Sequence, residues 1–129
     1  RLTLLNDTYN ASPDSMKAGL RSLMELSGGR HIAVLGDMLE LGPDTLAYHR
    51  EVGRYAREAG VDLVVCTGPL STALAEGAGD RACHFEDREA LIAALPGLLE
   101  PGDAVLVKAS RGMGLEHAVQ AILANKENE

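Results

Sequence analysis

The stretch His31-Ile32-Ala33-Val34-Leu35-Gly36-Asp37-Met38-Leu39-Glu40-Leu41-Gly42 decides how the rest of the chain is read. Its first five positions carry almost no polar interruption, the pattern of a strand covered by helices on both faces. A glycine then breaks the run, and two acids follow it. Residues 61–67 (VDLVVCT) and 103–108 (DAVLVK) repeat the apolar pattern. Shorter runs at 1–6 and 81–85 predict two further strands.

Between these strands the period changes. Ser12-Pro13 predicts a helix start, because serine can accept from free first-turn amides and proline suits the first helical position. Met16, Leu20, Leu23 and Met24 then recur on one helical face, and Gly28-Gly29 predicts its end. A charged helix is expected over 44–59, with Tyr48, Val52, Tyr55 and Ala59 on its stripe, and a short alanine-rich one over 70–78. Leu91, Ile92, Leu95, Leu98 and Leu99 mark a fourth helix that Pro96-Gly97 should kink or shorten. Leu115, Ala118, Val119, Ile122 and Leu123 mark the last. Strand and helix alternate about five times. The pattern predicts an α/β domain: a Rossmann-like, mostly parallel sheet of about five to six strands with helices on both faces. One domain is expected over 1–125, with 126–129 as a frayed tail.

Composition agrees with one globular unit. The chain has 129 residues, 46% of them hydrophobic, and only three tyrosines, one phenylalanine and no tryptophan, so its core must be aliphatic. Twelve basic residues against nineteen acidic ones give a net charge of −7, which argues against nucleic acid and anionic membranes as partners. No apolar run approaches the ~20 residues that cross a bilayer. Cys66 and Cys83 form no C-x-x-C pair and are expected to be reduced thiols packed in strands. The histidines at 31, 49, 84 and 117 share no ligand spacing, so each is expected to be structural or solvated rather than bound to zinc. A cytoplasmic location is expected.

Open parallel sheets bind ligands at the carboxyl ends of their strands, so the residues after each strand are the candidates. Residues 6–12 crowd hydrogen-bonding groups around Tyr9; Asp7 could accept from a ribose diol and Tyr9 stack on a base, or the segment could be a helix entry of Asx turns and a cap. Asp37 and Glu40 could bind an ammonium group or move a proton, or be solvated turn acids. Lys108, Ser110 and Arg111 precede the last helix and could hold a carboxylate or phosphate, or serve surface acids. No G-x-x-x-x-G-K-[ST] loop occurs, and His117 stands where Gly112-Met113-Gly114 would need a third glycine. A self-sufficient nucleotide hydrolase or dinucleotide enzyme is therefore not expected.

Three segments together resemble one family. Residues 6–15 (NDTYNASPDS) are similar to the D-D-S-Y-N-A-N-P-x-S signature of the C-terminal domain of MurF-type Mur ligases, the UDP-N-acetylmuramoyl-tripeptide–D-alanyl-D-alanine ligases. Residues 36–42 (GDMLELG) match that family's G-D-M-x-E-L-G unchanged, and 108–113 (KASRGM) resemble its K-G-S-R-x-M. Asn6, Thr8, Ser12 and Ala109 depart from the pattern.

The resemblance implies the last third of a three-domain enzyme, and a start without methionine inside a strand fits that expectation. It implies that Asp7 binds the ATP ribose, with Tyr9 and Asn10 beside the adenine. Lys108, Ser110 and Arg111 would lie at the dipeptide and its carboxylate, with Asp37 and Glu40 near the interdomain cleft. No residue here would make bonds alone. Magnesium ligands and the phosphate loop would belong to the central domain, UDP-N-acetylmuramoyl-tripeptide to the N-terminal one, and the whole protein would be a monomer. The alternative expectation is a free-standing α/β nucleotide-binding or scaffold module without catalysis.

Overall fold

The computed structural model of the chain describes residues 3–7, 11–27, 29–110 and 113–127. Five strands, β1 (Thr3–Asp7), β2 (His31–Leu35), β3 (Leu63–Thr67), β4 (Ala82–Phe85) and β5 (Ala104–Lys108), form one sheet in the order β1-β5-β2-β3-β4. Every neighbouring pair is parallel. Alternate strand residues feed two aliphatic cores, as a doubly covered sheet requires. Ala33, Leu35, Val64, Cys66, Ala104 and Leu106 pack under α1 (Pro13–Glu25), α2 (Thr45–Ala59) and α3 (Ser71–Ala78). Ile32, Val34, Val65, Val105 and Val107 pack under α4 (Arg88–Leu98) and α5 (Glu116–Glu127). Burial pushes the Cys66 thiol up to about 12, helped by the nearby Cys83 and Asp37, so it stays protonated as a core group.

The predicted entry to α1 is present as a reciprocal capping box. Ser12 Oγ accepts from the Ser15 amide at 3.1 Å, and Ser15 Oγ accepts from the Ser12 amide at 2.8 Å. The helix stops at Glu25, ahead of the predicted glycine pair; Gly28 itself lies outside the described residues. Arg30 closes the amino-terminal rim of the sheet by a two-pronged bond to Asp103, at 3.1 and 2.8 Å, and that bond raises the Arg30 pKa.

The stripe predicted for α2 needs correcting. The helix buries His49, Val52, Gly53 and Ala56, while Tyr48 is 39% exposed and Tyr55 half-buried beneath Lys17. Glycines cause the rotation. A Cβ on Gly53 would collide with the Leu74 carbonyl and the Ala78 amide of α3; one on Gly77 would collide with the Arg50 carbonyl and Arg54 amide of α2. The two helices therefore meet backbone to backbone, and no tyrosine fits between them. Two smaller corrections concern α4 and α5. Pro96 does not end α4, which runs to Leu98, because in the final turn it removes only one bond while buried Leu95 and Leu99 anchor the end. Leu123, expected on the buried face of α5, is 42% exposed.

Gly53→Ala should lower the unfolding free energy by about 1–3 kcal/mol through overpacking. Gly97→Ala, where an added Cβ meets nothing within 4 Å, should raise it by about 0.5–1 kcal/mol. Urea denaturation of both variants checks the crossing, and equal effects would contradict it.

Candidate functional site

β5 lies between β1 and β2, yet its connection leads to α5 on one face while theirs lead to α1 and α2 on the other. The chain leaving β5 thus diverges from both neighbours, which opens the crevice where parallel sheets hold ligands. Lys108, the last residue of β5, is in register with Asp7 on one side and Leu35 on the other. The Gly36 amide donates to the Lys108 carbonyl at 3.0 Å. The three sequence segments singled out above therefore leave the sheet side by side at one edge.

Three consecutive residues pin the middle segment to three different elements. The Asp37 carboxylate accepts from the Ser71 amide at 2.8 Å, the Ser71 hydroxyl at 2.7 Å and the Leu70 amide at 3.2 Å, so it caps α3 from outside that helix. The Met38 amide donates to His49 Nε2 at 3.0 Å. The Leu39 amide donates to Ser110 Oγ at 2.8 Å, and the Ser110 amide donates to the Asp37 carbonyl at 3.1 Å. Gly68 makes this possible: at φ +114 it has no Cβ, and one placed there would strike the Asp37 carboxylate.

Asp37 is thus 2% exposed and a structural anchor, not the solvated turn acid that one reading of the sequence allowed. Glu40 is exposed, at φ +63, and borders a groove of about 420 Å³ that Asp14 and Glu51 also line. Glu51 is already paired with Lys17 at 3.1 Å, so the carboxylates of Asp14 and Glu40 set the sign of the groove. Lys108 is 1% exposed, its stem against Gly19 of α1 and Leu106. It sits beneath the edge rather than on it. Ala109, where the family pattern has glycine, is fully buried, and its Cβ occupies space beside Gly36 that a side chain at 36 would need. Ser110 is half-buried at the edge. Tyr9, Asn10 and Arg111 lie outside the described residues, as does the side chain of Asp7.

Two residues at this edge were missed by sequence reasoning. His49 was read only as one of four unremarkable histidines; it is fully buried and holds Met38. The Arg88 guanidinium packs over Gly114, at φ +69, in space a Cβ would take, bringing a cation from α4 against the β5–α5 connection. A glycine where a helix should begin was the only signal for it.

An all-parallel sheet covered by helices on both faces defines a Rossmann-like α/β domain. The model of the family described as Mur ligase, glutamate ligase domain matches residues 1–111, and the chain belongs to that family. The chain is 41% identical over 128 residues to the UDP-N-acetylmuramoyl-tripeptide--D-alanyl-D-alanine ligase of Bacillus subtilis, covering 95% of this chain and 28% of that protein. It is also 41% identical over 126 residues to the Escherichia coli ligase of the same name, covering 95% of this chain and 27% of that protein. The chain therefore spans little more than a quarter of the curated relatives it matches. Among solved structures, MurF from Acinetobacter baumannii superposes with a TM-score of 0.85 at 29% identity, over 96% of this chain and 29% of that one. MurF ligase from Thermotoga maritima, in complex with ADP, superposes at 0.81 and 28% identity, over 97% and 29%.

Asp37→Ala takes the acceptor from the part-buried Leu70 amide and leaves the buried Ser71 amide only the longer bond to the Gly68 carbonyl at 3.2 Å, and should cost about 2 kcal/mol. Ser71→Ala keeps both amides served and should cost about 1 kcal/mol. Denaturant midpoints of the two variants decide it; equal losses would contradict the capping role.

Proposed function

We propose that this chain is the domain supplying one half of the ATP and dipeptide pocket in a ligase that joins D-alanyl-D-alanine to UDP-N-acetylmuramoyl-tripeptide, a step in making peptidoglycan precursor. The observation that carries the reading is the register of Asp7, Lys108 and Leu35 across β1, β5 and β2, which sets the three MurF-like segments at one edge. The names of the relatives point to the same reaction.

In that reaction the terminal carboxylate of the tripeptide takes the γ-phosphoryl group of ATP, and ADP leaves. The dipeptide amine then attacks the acyl carbon, sheds a proton, and expels phosphate as the amide forms. This chain's part is positioning, which well-aligned reactions convert into several kcal/mol of barrier. Asp7 would accept from the ribose diol at the end of β1, with Tyr9 and Asn10 beside the adenine. Ser110 and Arg111 would meet the dipeptide carboxylate, and Lys108 would lend its charge from beneath the edge. Glu40, in its acidic groove, would address the dipeptide's ammonium group rather than a phosphate. Asp37 would act by holding the loop.

Among the described residues no three His, Cys, Asp or Glu side chains gather as a metal site. The family resemblance would put magnesium in the central domain, and none of the roles above depends on it. The N-terminal and central domains of the same polypeptide would be the partners, in a cytoplasmic monomer. Closing this edge over ATP would exclude water that otherwise hydrolyses the acyl phosphate.

In the complete protein, Asp7→Ala should raise the KM for ATP roughly tenfold or more, as expected when a charged hydrogen bond to substrate is lost. Asp80→Ala, exposed in the turn ahead of β4, should leave it unchanged. Steady-state kinetics with both variants test this, and equal small effects would remove the ribose assignment.

A further inference from the structure

We propose that His49 is a positioning residue for the dipeptide side of this pocket, holding the 37–39 loop, and Ser110 with it, through its unprotonated Nε2. A backbone amide can only donate, so the 3.0 Å bond from Met38 makes Nε2 the lone-pair nitrogen of the ring. The proton therefore resides on Nδ1, which donates to the Thr45 carbonyl at 2.7 Å in the first turn of α2. One tautomer satisfies both bonds, and the ring is completely buried among them.

The placement of that bond gives it reach. Asp37 ties the loop to α3, Met38 ties it to α2, and Leu39 ties it to Ser110. Ser110 is bonded on both sides of Met38, through its amide to the Asp37 carbonyl and through its hydroxyl to the Leu39 amide. A peptide unit that loses its middle restraint is free to tilt, and any tilt at Met38 moves both groups that fix Ser110. His49 touches no substrate in this scheme. It acts through the loop.

Two substitutions separate this from simple packing. Gln reaches as far as Nε2 and can still accept from Met38, whereas Asn reproduces only the donor near Nδ1 and leaves a buried amide without a partner. Both are prepared in the complete ligase, on which the kinetic part rests together with the function proposed above. Hydrogen–deuterium exchange of segments 36–42 and 109–113 is measured alongside KM and kcat.

His49→Asn should speed exchange of both segments about tenfold, and raise the KM for D-alanyl-D-alanine roughly tenfold with kcat within about threefold. His49→Gln should bring both readouts back to within about threefold of the parent. Equal behaviour of the two variants, or faster exchange confined to 36–42, would overturn the proposal. Imidazole nitrogen NMR of the parent protein adds a check that no unfolded variant can spoil: an Nε2–H tautomer at His49 would also overturn it. If the parent fails to ligate D-alanyl-D-alanine, the functional reading falls, while exchange and NMR still judge His49.

Discussion

The Asp37 carboxylate is the contact on which the carboxyl edge of this sheet depends. It leaves the end of β2, enters space that Gly68 keeps open, and satisfies the first amides of a helix that carries no cap of its own. Helix entries need such acceptors, because their first amides have no intrahelical partner. Here the acceptor comes from a different crossover, so one side chain fixes where α3 starts and how the loop after β2 runs. A negative charge at a helix start also gains from the helix dipole.

From that anchor the edge is assembled by short steps. The Asp37 carbonyl takes the Ser110 amide, which orders the exit of β5. β5 itself is set between β1 and β2 by register, so the loops after all three leave together. Chemistry at such an edge requires groups from distant parts of the sequence to keep fixed separations, and rigid strands with cross-linked loops provide that. The curated ligases of the same family that this chain matches are more than three times its length, the chain covering 28% and 27% of two of them.

The fold was legible because its signals are local. Runs such as HIAVL and DAVLVK could only be strands covered on both faces, and the Ser12-Pro13 entry was recognisable from two residues. Strand order was not legible, since apolar runs carry no record of which neighbour they pair with. The face of α2 was misjudged because tyrosines outweigh glycines in any hydrophobic count, yet Gly53 and Gly77 set the crossing. The site was legible in part. The three motifs named segments that leave the sheet side by side, but spacing alone could not show that Lys108 lies buried under α1, that Asp37 caps a helix, or that His49 holds Met38. Each of those facts depends on a partner from a remote part of the chain.

The measurement that bears most directly on the account is a crystal structure of the complete ligase with ADP and D-alanyl-D-alanine. The adenosine should lie over the carboxyl ends of β1 and β5, with Asp7 bonded to the ribose and the dipeptide carboxylate within reach of Ser110 and Arg111. A nucleotide and a dipeptide held entirely by the other domains, with this edge beyond hydrogen-bonding reach in the closed enzyme, would contradict it.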